Sequence, residues 1–147
     1  MPILVPYTQA DYTVVHAYFP DKEIRKYTNR GGGYAILSLS GLYVSCFMLL
    51  KEGNTLLGCG VIRRKFSREI KCYSWWLYDI WIDPQQRGKG YGTELMQRLI
   101  AELRRRKVQR VYLVVADNNL RAQNLYRKVG FSLYKQLPTD KILCYDL

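Results

Sequence analysis

The sequence predicts an α/β domain, a mixed β-sheet with helices packed against it. Three observations carry that reading. Three early segments, Tyr43 to Leu50, Thr55 to Ile62 and Cys72 to Ile82, are rich in β-branched, aromatic and aliphatic residues, the composition of half-buried strands. Two later segments repeat apolar residues at helical spacing, and a strand-like run, Val111 to Ala116, lies between them. Strands followed by helix, strand, helix and a closing hairpin make layers around one sheet. With 147 residues, one domain over residues 1–147 suffices to bury a core.

Each element follows from local chemistry. Asp11 to Phe19, starting from Thr8, reads as a short helix, and Asp21 to Thr28 as a second one split off by Pro20. Gly31, Gly32 and Gly33 read as a loop. Between Arg30 and Lys51 lie twenty uncharged residues, GGGYAILSLSGLYVSCFMLL, close to the length of a membrane span. Their four glycines and the Ser40-Gly41 turn point instead to two buried β segments. Glu52-Gly53-Asn54 makes the strands on either side a hairpin, and Pro84 ends the third strand.

Leu95, Met96, Leu99, Ile100 and Leu103 line one face of a helix, with Glu94–Arg98 and Glu102–Arg106 as favourable pairs four apart. Arg104 to Lys107 fall in its last turn, where cations complement the helix dipole. Ala122, Leu125, Tyr126 and Val129 mark a second helix, capped near Asn118 or Asn119 and stopped at Gly130. Phe131 to Lys135 and Ile142 to Leu147 close the chain as a hairpin around Leu137 to Asp140.

Charge narrows the ligands. Lys and Arg number 23 against 12 Asp and Glu, a net +11. The excess is spread along the chain: residues 1–75 carry 10 basic and 5 acidic side chains, residues 76–147 carry 13 and 7. Such a field favours anionic ligands and disfavours polycations. Cys46, Cys59, Cys72 and Cys144 show no C-x-x-C spacing, and His16 is the one histidine, so buried reduced thiols are expected and no metal site. The first residues have no charged start and no long apolar core, so a cytoplasmic protein is expected.

The most informative stretch is DPQQRGKGYGTEL, residues 83 to 95. Glycines on alternate positions offer bare backbone at a helix start, which suits an anion. The Walker A spacing G-x-x-x-x-G-K-[ST] and the dinucleotide spacing G-x-G-x-x-G both fail here. Gln85-x-x-Gly88-x-Gly90 instead resembles the acyl-CoA loop of the GNAT superfamily of N-acetyltransferases, [RQ]-x-x-G-x-[GA]. About thirty residues on, NLRAQNLYRKVGF (119–131) resembles that family's second motif, N-x-x-A-x-x-x-Y-x-x-x-G-F. The likeness covers roughly residues 43–147.

The resemblance implies a GNAT-like mixed sheet whose central strands splay apart to admit the pantetheine arm of acetyl-CoA or another acyl-CoA. Backbone of Ile80, Trp81 and Ile82 would run along that arm. The amides of Arg87, Gly88, Lys89, Gly90, Tyr91 and Gly92 would cradle the pyrophosphate, with charge added by Arg87 and Lys89. Asn119 would bond near the pantetheine, and Tyr126 would be the general acid that protonates the departing thiolate. Plain alternatives stand beside these roles: core packing for Ile80, Ile82 and Tyr126, helix capping for Asn119, solvation for Arg87 and Lys89. Where relatives often end the long helix with glycine this chain has Lys107, a turn expected to be strained or differently capped.

The implied reaction is direct attack of a neutral amine on the thioester in a ternary complex. Asp79 is the candidate base, with Tyr78 and His16 as weaker candidates and a structural role for Asp79 equally open. The charge favours a peptide or protein amine as acceptor over polyamines, with aminoacyl-tRNA next. A monomer or homodimer is expected. The competing class is a nucleic-acid-binding module, in which the 13 tyrosines and three tryptophans stack bases among basic residues.

Overall fold

A computed structural model of the chain describes residues 1–17, 34–35 and 44–147. The expected helix over Asp21 to Thr28, the Gly31 to Gly33 loop and the Ser40-Gly41 turn lie outside the described residues. Of the first expected helix, a 3-10 turn at Gln9–Asp11 and α1 (Tyr12–His16) are present.

The strands are β1 (Ile3–Pro6), β2 (Tyr34–Ala35), β3 (Val44–Glu52), β4 (Thr55–Ser67), β5 (Cys72–Ile82), β6 (Arg110–Ala116), β7 (Ser132–Gln136) and β8 (Asp140–Asp146). Among the described residues they form one sheet in the order β1-β3-β4-β5-β6-β8-β7, with β2 also on β3. Only β5 and β6 are parallel; the other pairs are antiparallel. The sheet is mixed, as expected.

The apolar run that resembled a membrane span is explained by β3. Cys46, Met48 and Leu50 face the main core, while Phe47 and Leu49 face a second cluster on the opposite side with Tyr7 and Val15. A strand buried on both faces reads as continuous apolar sequence. Among the described residues no helix is long and apolar enough to cross a membrane.

One boundary differs from expectation. β4 does not stop at Ile62 but runs to Ser67 and turns back through residues 68–71 into β5. Arg63, Arg64 and Lys65 hide the extension because cations are unusual in strands. Here their side chains lie over the rings of Tyr78, Tyr73 and Trp76, which gives their stems apolar cover.

Helix α2 (Tyr91–Arg105) buries Leu95, Met96, Leu99, Ile100 and Leu103 against the sheet. Each such side chain contributes roughly 1.5–3 kcal/mol before entropy is counted. Both expected ion pairs form: Arg98 to Glu94 at 2.8 Å and Arg106 to Glu102 at 3.0 Å. Its end is a Schellman motif. The amide of Lys107 donates to the Arg104 carbonyl at 2.9 Å and that of Val108 to Leu103 at 3.1 Å. Lys107 has φ +63°, the left-handed conformation that glycine adopts without penalty. The expectation of strain at Lys107 therefore holds, with ordinary capping bonds. Helix α3 (Leu120–Val129) starts where the Asn119 side chain accepts from the Ala122 amide at 3.2 Å and stops at Gly130, φ +125°.

Candidate active site

The site begins as a gap in the sheet. β5 and β6 pair only at Trp75↔Val111 and Trp76↔Tyr112. Beyond those two pairs, residues 77–82 of β5 and 113–116 of β6 run on without pairing to each other. The central strands splay, as the resemblance implied.

A β-bulge in β5 accompanies the divergence. Cys59 pairs with Trp81 and Val61 with Tyr78, so Gly60 alone opposes both Asp79 and Ile80. Asp79 takes φ +51°, within reach of an Asp because its short polar chain tolerates the left-handed region. A bulge bends its strand and increases local twist. Gly60 is required there: an added Cβ would stand 2.9 Å from Cδ1 of both Ile80 and Leu99. The missing side chain lets the bulge, β4 and α2 close on one another.

The gap opens into a cleft of about 370 Å³. Ile80, Trp81 and Ile82 form one wall; Asn119, Ala122, Leu125 and Tyr126, from the start and inner face of α3, form the other. Arg87, Gly88, Gly90, Tyr91 and Gly92 close one end. A cleft of this size and mixed lining suits a slender organic ligand.

The glycine loop is built for close approach. Asp83, itself buried, accepts from the Gln85 amide at 3.0 Å and fixes a 3-10 turn at Pro84–Gln86. Gly88 and Gly90 then take φ +78° and +84°, and a Cβ on either would meet nothing within 4 Å. Conformation, not crowding within the protein, demands glycine at these two positions. Gly90 is the N-cap of α2, so the amides of the first turn have no intrahelical acceptor and point out with the positive end of the dipole. Arg87 reaches back, its Nε donating to the Ile82 carbonyl at 2.9 Å, and thereby ties the loop to the end of β5. Tyr91 bonds Glu52 on the β3–β4 hairpin at 3.4 Å. Lys89 is exposed, bonds Gln86 at 3.2 Å, and does not line the cleft.

Across the cleft, α2 and α3 touch closely. A Cβ on Gly92 would lie 3.2 Å from Cδ2 of Leu125, so the third glycine serves helix packing. Tyr126 is 8% exposed and lines the cleft. Burial pushes its phenol above the ordinary tyrosine range, which keeps it protonated. Its hydroxyl has no hydrogen-bond partner among the described residues. Both readings of Tyr126 coexist, since its ring also packs 6.1 Å from Phe131.

Sequence reasoning missed Gln86, Thr93 and Arg121, which also line the cleft, and Gln123, which holds its rim. The buried Gln123 amide donates to the Ala116 and Asp117 carbonyls at 2.8 and 3.0 Å, fixing the turn from β6 into α3. The helical period alone shows Ala122, Leu125 and Tyr126 on one face; nothing in the sequence marks Gln123.

Asp79 sits in the bulge and is exposed, outside the cleft lining. Tyr78 is half-buried on the opposite face of the sheet from α2, against Trp76 and Trp81. His16 ends α1. Cys46, Cys59 and Cys144 are buried and Cys72 is exposed; all four are free thiols. Burial pushes the Cys46 and Cys59 thiols up, and no cysteine lines the cleft.

The profile of the Acetyltransferase (GNAT) family matches residues 9–131. The chain is 36% identical over 75 residues to spermine/spermidine N(1)-acetyltransferase of Bacillus subtilis (strain 168), covering 49% of each chain. To the [ribosomal protein bS18]-alanine N-acetyltransferase of Haemophilus influenzae it is 39% identical over 83 residues, 56% of this chain and 52% of that one. The chain thus spans about half the length of the curated relatives it matches. Among solved structures, spermidine N-acetyltransferase from Vibrio cholerae with CoA and spermine superposes with TM-score 0.72 at 17% identity, covering 99% and 95% of the two chains. The ribosomal-protein-S18-alanine N-acetyltransferase from Escherichia coli gives 0.68 at 19% identity, covering 99% and 94%. The splayed sheet, the glycine loop at the start of α2 and the profile match agree: this chain belongs to the acetyltransferase (GNAT) family.

Proposed function

We propose that the chain is an acyl-CoA-dependent N-acetyltransferase whose co-substrate fills the cleft between β5 and α3. The observation that carries this is the junction of the two halves of the site. The first-turn amides of α2 meet the open end of a cleft whose far wall holds a buried, protonated phenol. The glycine loop would take the pyrophosphate on backbone donors. Residues Ile80 to Ile82 lack a β6 partner, so their outward backbone groups are left for the pantetheine amides. The cleft's apolar walls exclude water from the thioester.

Catalysis then needs two proton transfers. The amine must be neutral when it attacks, so a base or a water takes its proton; Asp79, brought out of the ladder by the bulge, is our candidate. The tetrahedral intermediate collapses as the C–S bond breaks, and Tyr126 donates to the developing thiolate. Its raised pKa makes complete transfer uphill, so its main contribution is a hydrogen bond that strengthens as charge grows on sulfur. No covalent enzyme intermediate is required, in keeping with thiols held protonated and away from the cleft.

For the acceptor we propose a peptide or protein amine in preference to a polyamine. Net charge +11 and the cations beside Tyr78 support this reading, although polyamine enzymes are among the relatives. Core packing accounts for many of the aromatics, since Tyr7, Trp76, Tyr112 and Tyr126 are all buried, which leaves the nucleic-acid module without a stacking platform at those positions. The test is calorimetric titration with acetyl-CoA followed by a free-thiol assay against peptides, amino acids, aminoacyl-tRNA and spermine. Binding near micromolar affinity and thiol release with a peptide amine are expected. Absence of acetyl-CoA binding refutes the enzyme reading; efficient turnover of spermine alone refutes the acceptor reading.

A further inference from the structure

The face of the sheet opposite α2 carries a feature that the family site does not use. The register pairs Val61 with Tyr78, Arg63 with Trp76 and Lys65 with Ser74. Alternation therefore puts Arg63, Lys65, Trp76 and Tyr78 on that one face. The Lys65 ammonium lies 5.2 Å from the Trp76 ring centroid and 5.1 Å from that of Tyr78. The Arg63 guanidinium stands 5.8 Å from the same Tyr78 ring. Trp76 and Tyr78 stack at 6.4 Å, and Trp76 meets Tyr112 at 5.2 Å. The ledge is rigid: Trp76 is 2% exposed, and its indole N–H donates to Ser74 Oγ at 2.9 Å.

Among the described residues Lys65 has no carboxylate partner; ring faces alone hold its ammonium. Other charged groups of this face are accounted for. Arg110, two residues before Tyr112, is paired with Asp146 at 2.5 Å, and Asp79 stands at the cleft end of the ledge. A row of rings carrying two cations repels a polyamine and leaves the hydrogen-bonding capacity of an ammonium to an incoming anion.

Spacing then gives the acceptor's shape. If the amine attacks at the level of Tyr78 and Asp79, Arg63 lies one register step of two residues away and Lys65 lies two steps away. Two strand residues span about 6.6 Å, so these cations stand roughly 7 and 13 Å from the amine along the strand. An extended peptide has the same rise per residue. The geometry points to an acceptor that is a peptide α-amine followed by an acidic side chain at the third to fifth position, read by Arg63 and Lys65 over the Trp76–Tyr78 ledge. This rests on the acetyltransferase reading above and names the substrate class of that site.

The test uses the full chain, acetyl-CoA and one peptide series differing only at positions three and five, with Asp, Gln or Lys there. The kcat/KM for the Asp peptide should exceed that for the Gln peptide by about tenfold and that for the Lys peptide by more. In Lys65→Gln the Asp-to-Gln ratio should fall to within about threefold, while Lys65→Arg, which keeps the charge, should preserve most of it. Calorimetry should show unchanged acetyl-CoA affinity in both variants, which also reports folding. A wild-type ratio near one, a preference for Lys, or an undiminished ratio in Lys65→Gln overturns the inference. If acetyl-CoA binds but no peptide is acetylated, or spermine or free aspartate is the better acceptor, the acidic-peptide inference falls while the co-substrate site stands. If acetyl-CoA does not bind, the underlying enzyme reading falls with it.

Discussion

Replacing Lys107 by glycine should stabilise the protein, and the structure sets the size of the effect. Lys107 occupies the residue after the C-cap of α2 with φ +63° and makes both Schellman hydrogen bonds. The motif's apolar contact is also in place, since Leu103 and Val108 both belong to the main core. Nothing else about the turn needs to change on substitution. A left-handed conformation costs a non-glycine residue about 1–2 kcal/mol. Glycine avoids that cost but loses about 0.5–1 kcal/mol more chain entropy on folding. The net gain is about 0.5–1 kcal/mol. At roughly 2 cal/mol/K per residue, unfolding 147 residues carries an entropy of about 0.3 kcal/mol/K, so Tm should rise by about 2–3 °C. Scanning calorimetry and urea titration of Lys107→Gly and Lys107→Ala measure this directly. Alanine keeps the Cβ and should give no such rise. Equal stabilisation by alanine, or a fall in Tm with glycine, would show that the Lys107 side chain matters and the backbone penalty does not.

Four further outcomes follow from the geometry. Tyr126→Phe should keep its packing and acetyl-CoA affinity while turnover falls, within the ~10²–10⁴ range typical of general acid–base groups; near-normal single-turnover rates in a folded variant refute the acid role. Because the neutral Tyr126 phenol is buried and its folded pKa is raised above 10.0, its contribution is complete below pH 10 and is lost as pH climbs through the folded value. Urea midpoints measured from pH 9 to 11.5 should therefore fall more steeply in the wild type than in Tyr126→Phe. Gly60→Ala forces a Cβ to within 2.9 Å of Ile80 and Leu99 and should destabilise by about 1–3 kcal/mol, with weaker acetyl-CoA binding because the bulge shifts; an unperturbed urea midpoint would show that the strands relax freely. Asp11 is buried. Burial pushes its carboxyl up, but the Lys51 ammonium and the Thr8 amide and hydroxyl together hold it below the usual carboxylate value. Its contribution is present above pH 3.8 and is lost as pH falls through the folded value. Asp11→Asn should thus be less stable by about 1–2 kcal/mol at pH 7, with the gap closing in acid.

What the sequence discloses and what it hides divide along a physical line. The glycine loop, the Asn119 cap and the inner faces of α2 and α3 are local. Their signals are spacing and backbone freedom within a dozen residues, so they can be read from the chain alone. The Asp79–Ile80 bulge is not local, because it exists only relative to the partner β4 and its Gly60. The extension of β4 is hidden for the same reason: Arg63 to Lys65 look like loop residues until the rings of Tyr73, Trp76 and Tyr78 stand opposite them. Gln123 bonds backbone carbonyls, which carry no sequence signal. Lys107 shows the converse case, where position in a motif disclosed a left-handed residue that its identity concealed.

The two-pair junction of β5 with β6 also bears on how the molecule comes apart. Strands β1 to β5 form one antiparallel wing and β6 to β8 another, joined in the sheet by Trp75–Val111 and Trp76–Tyr112 alone, with α2 spanning the seam through its contacts to β4 and β5. Such a seam is where partial opening is easiest. Amides of residues 111–116 and 142–146 should then exchange with solvent as a group distinct from those of β3 and β4. A ligand in the cleft touches β5 on one side and α3 on the other, so it would act as a cross-link between the wings. Bound acetyl-CoA should slow exchange across the whole second wing, far beyond the residues it contacts, and merge two unfolding units into one.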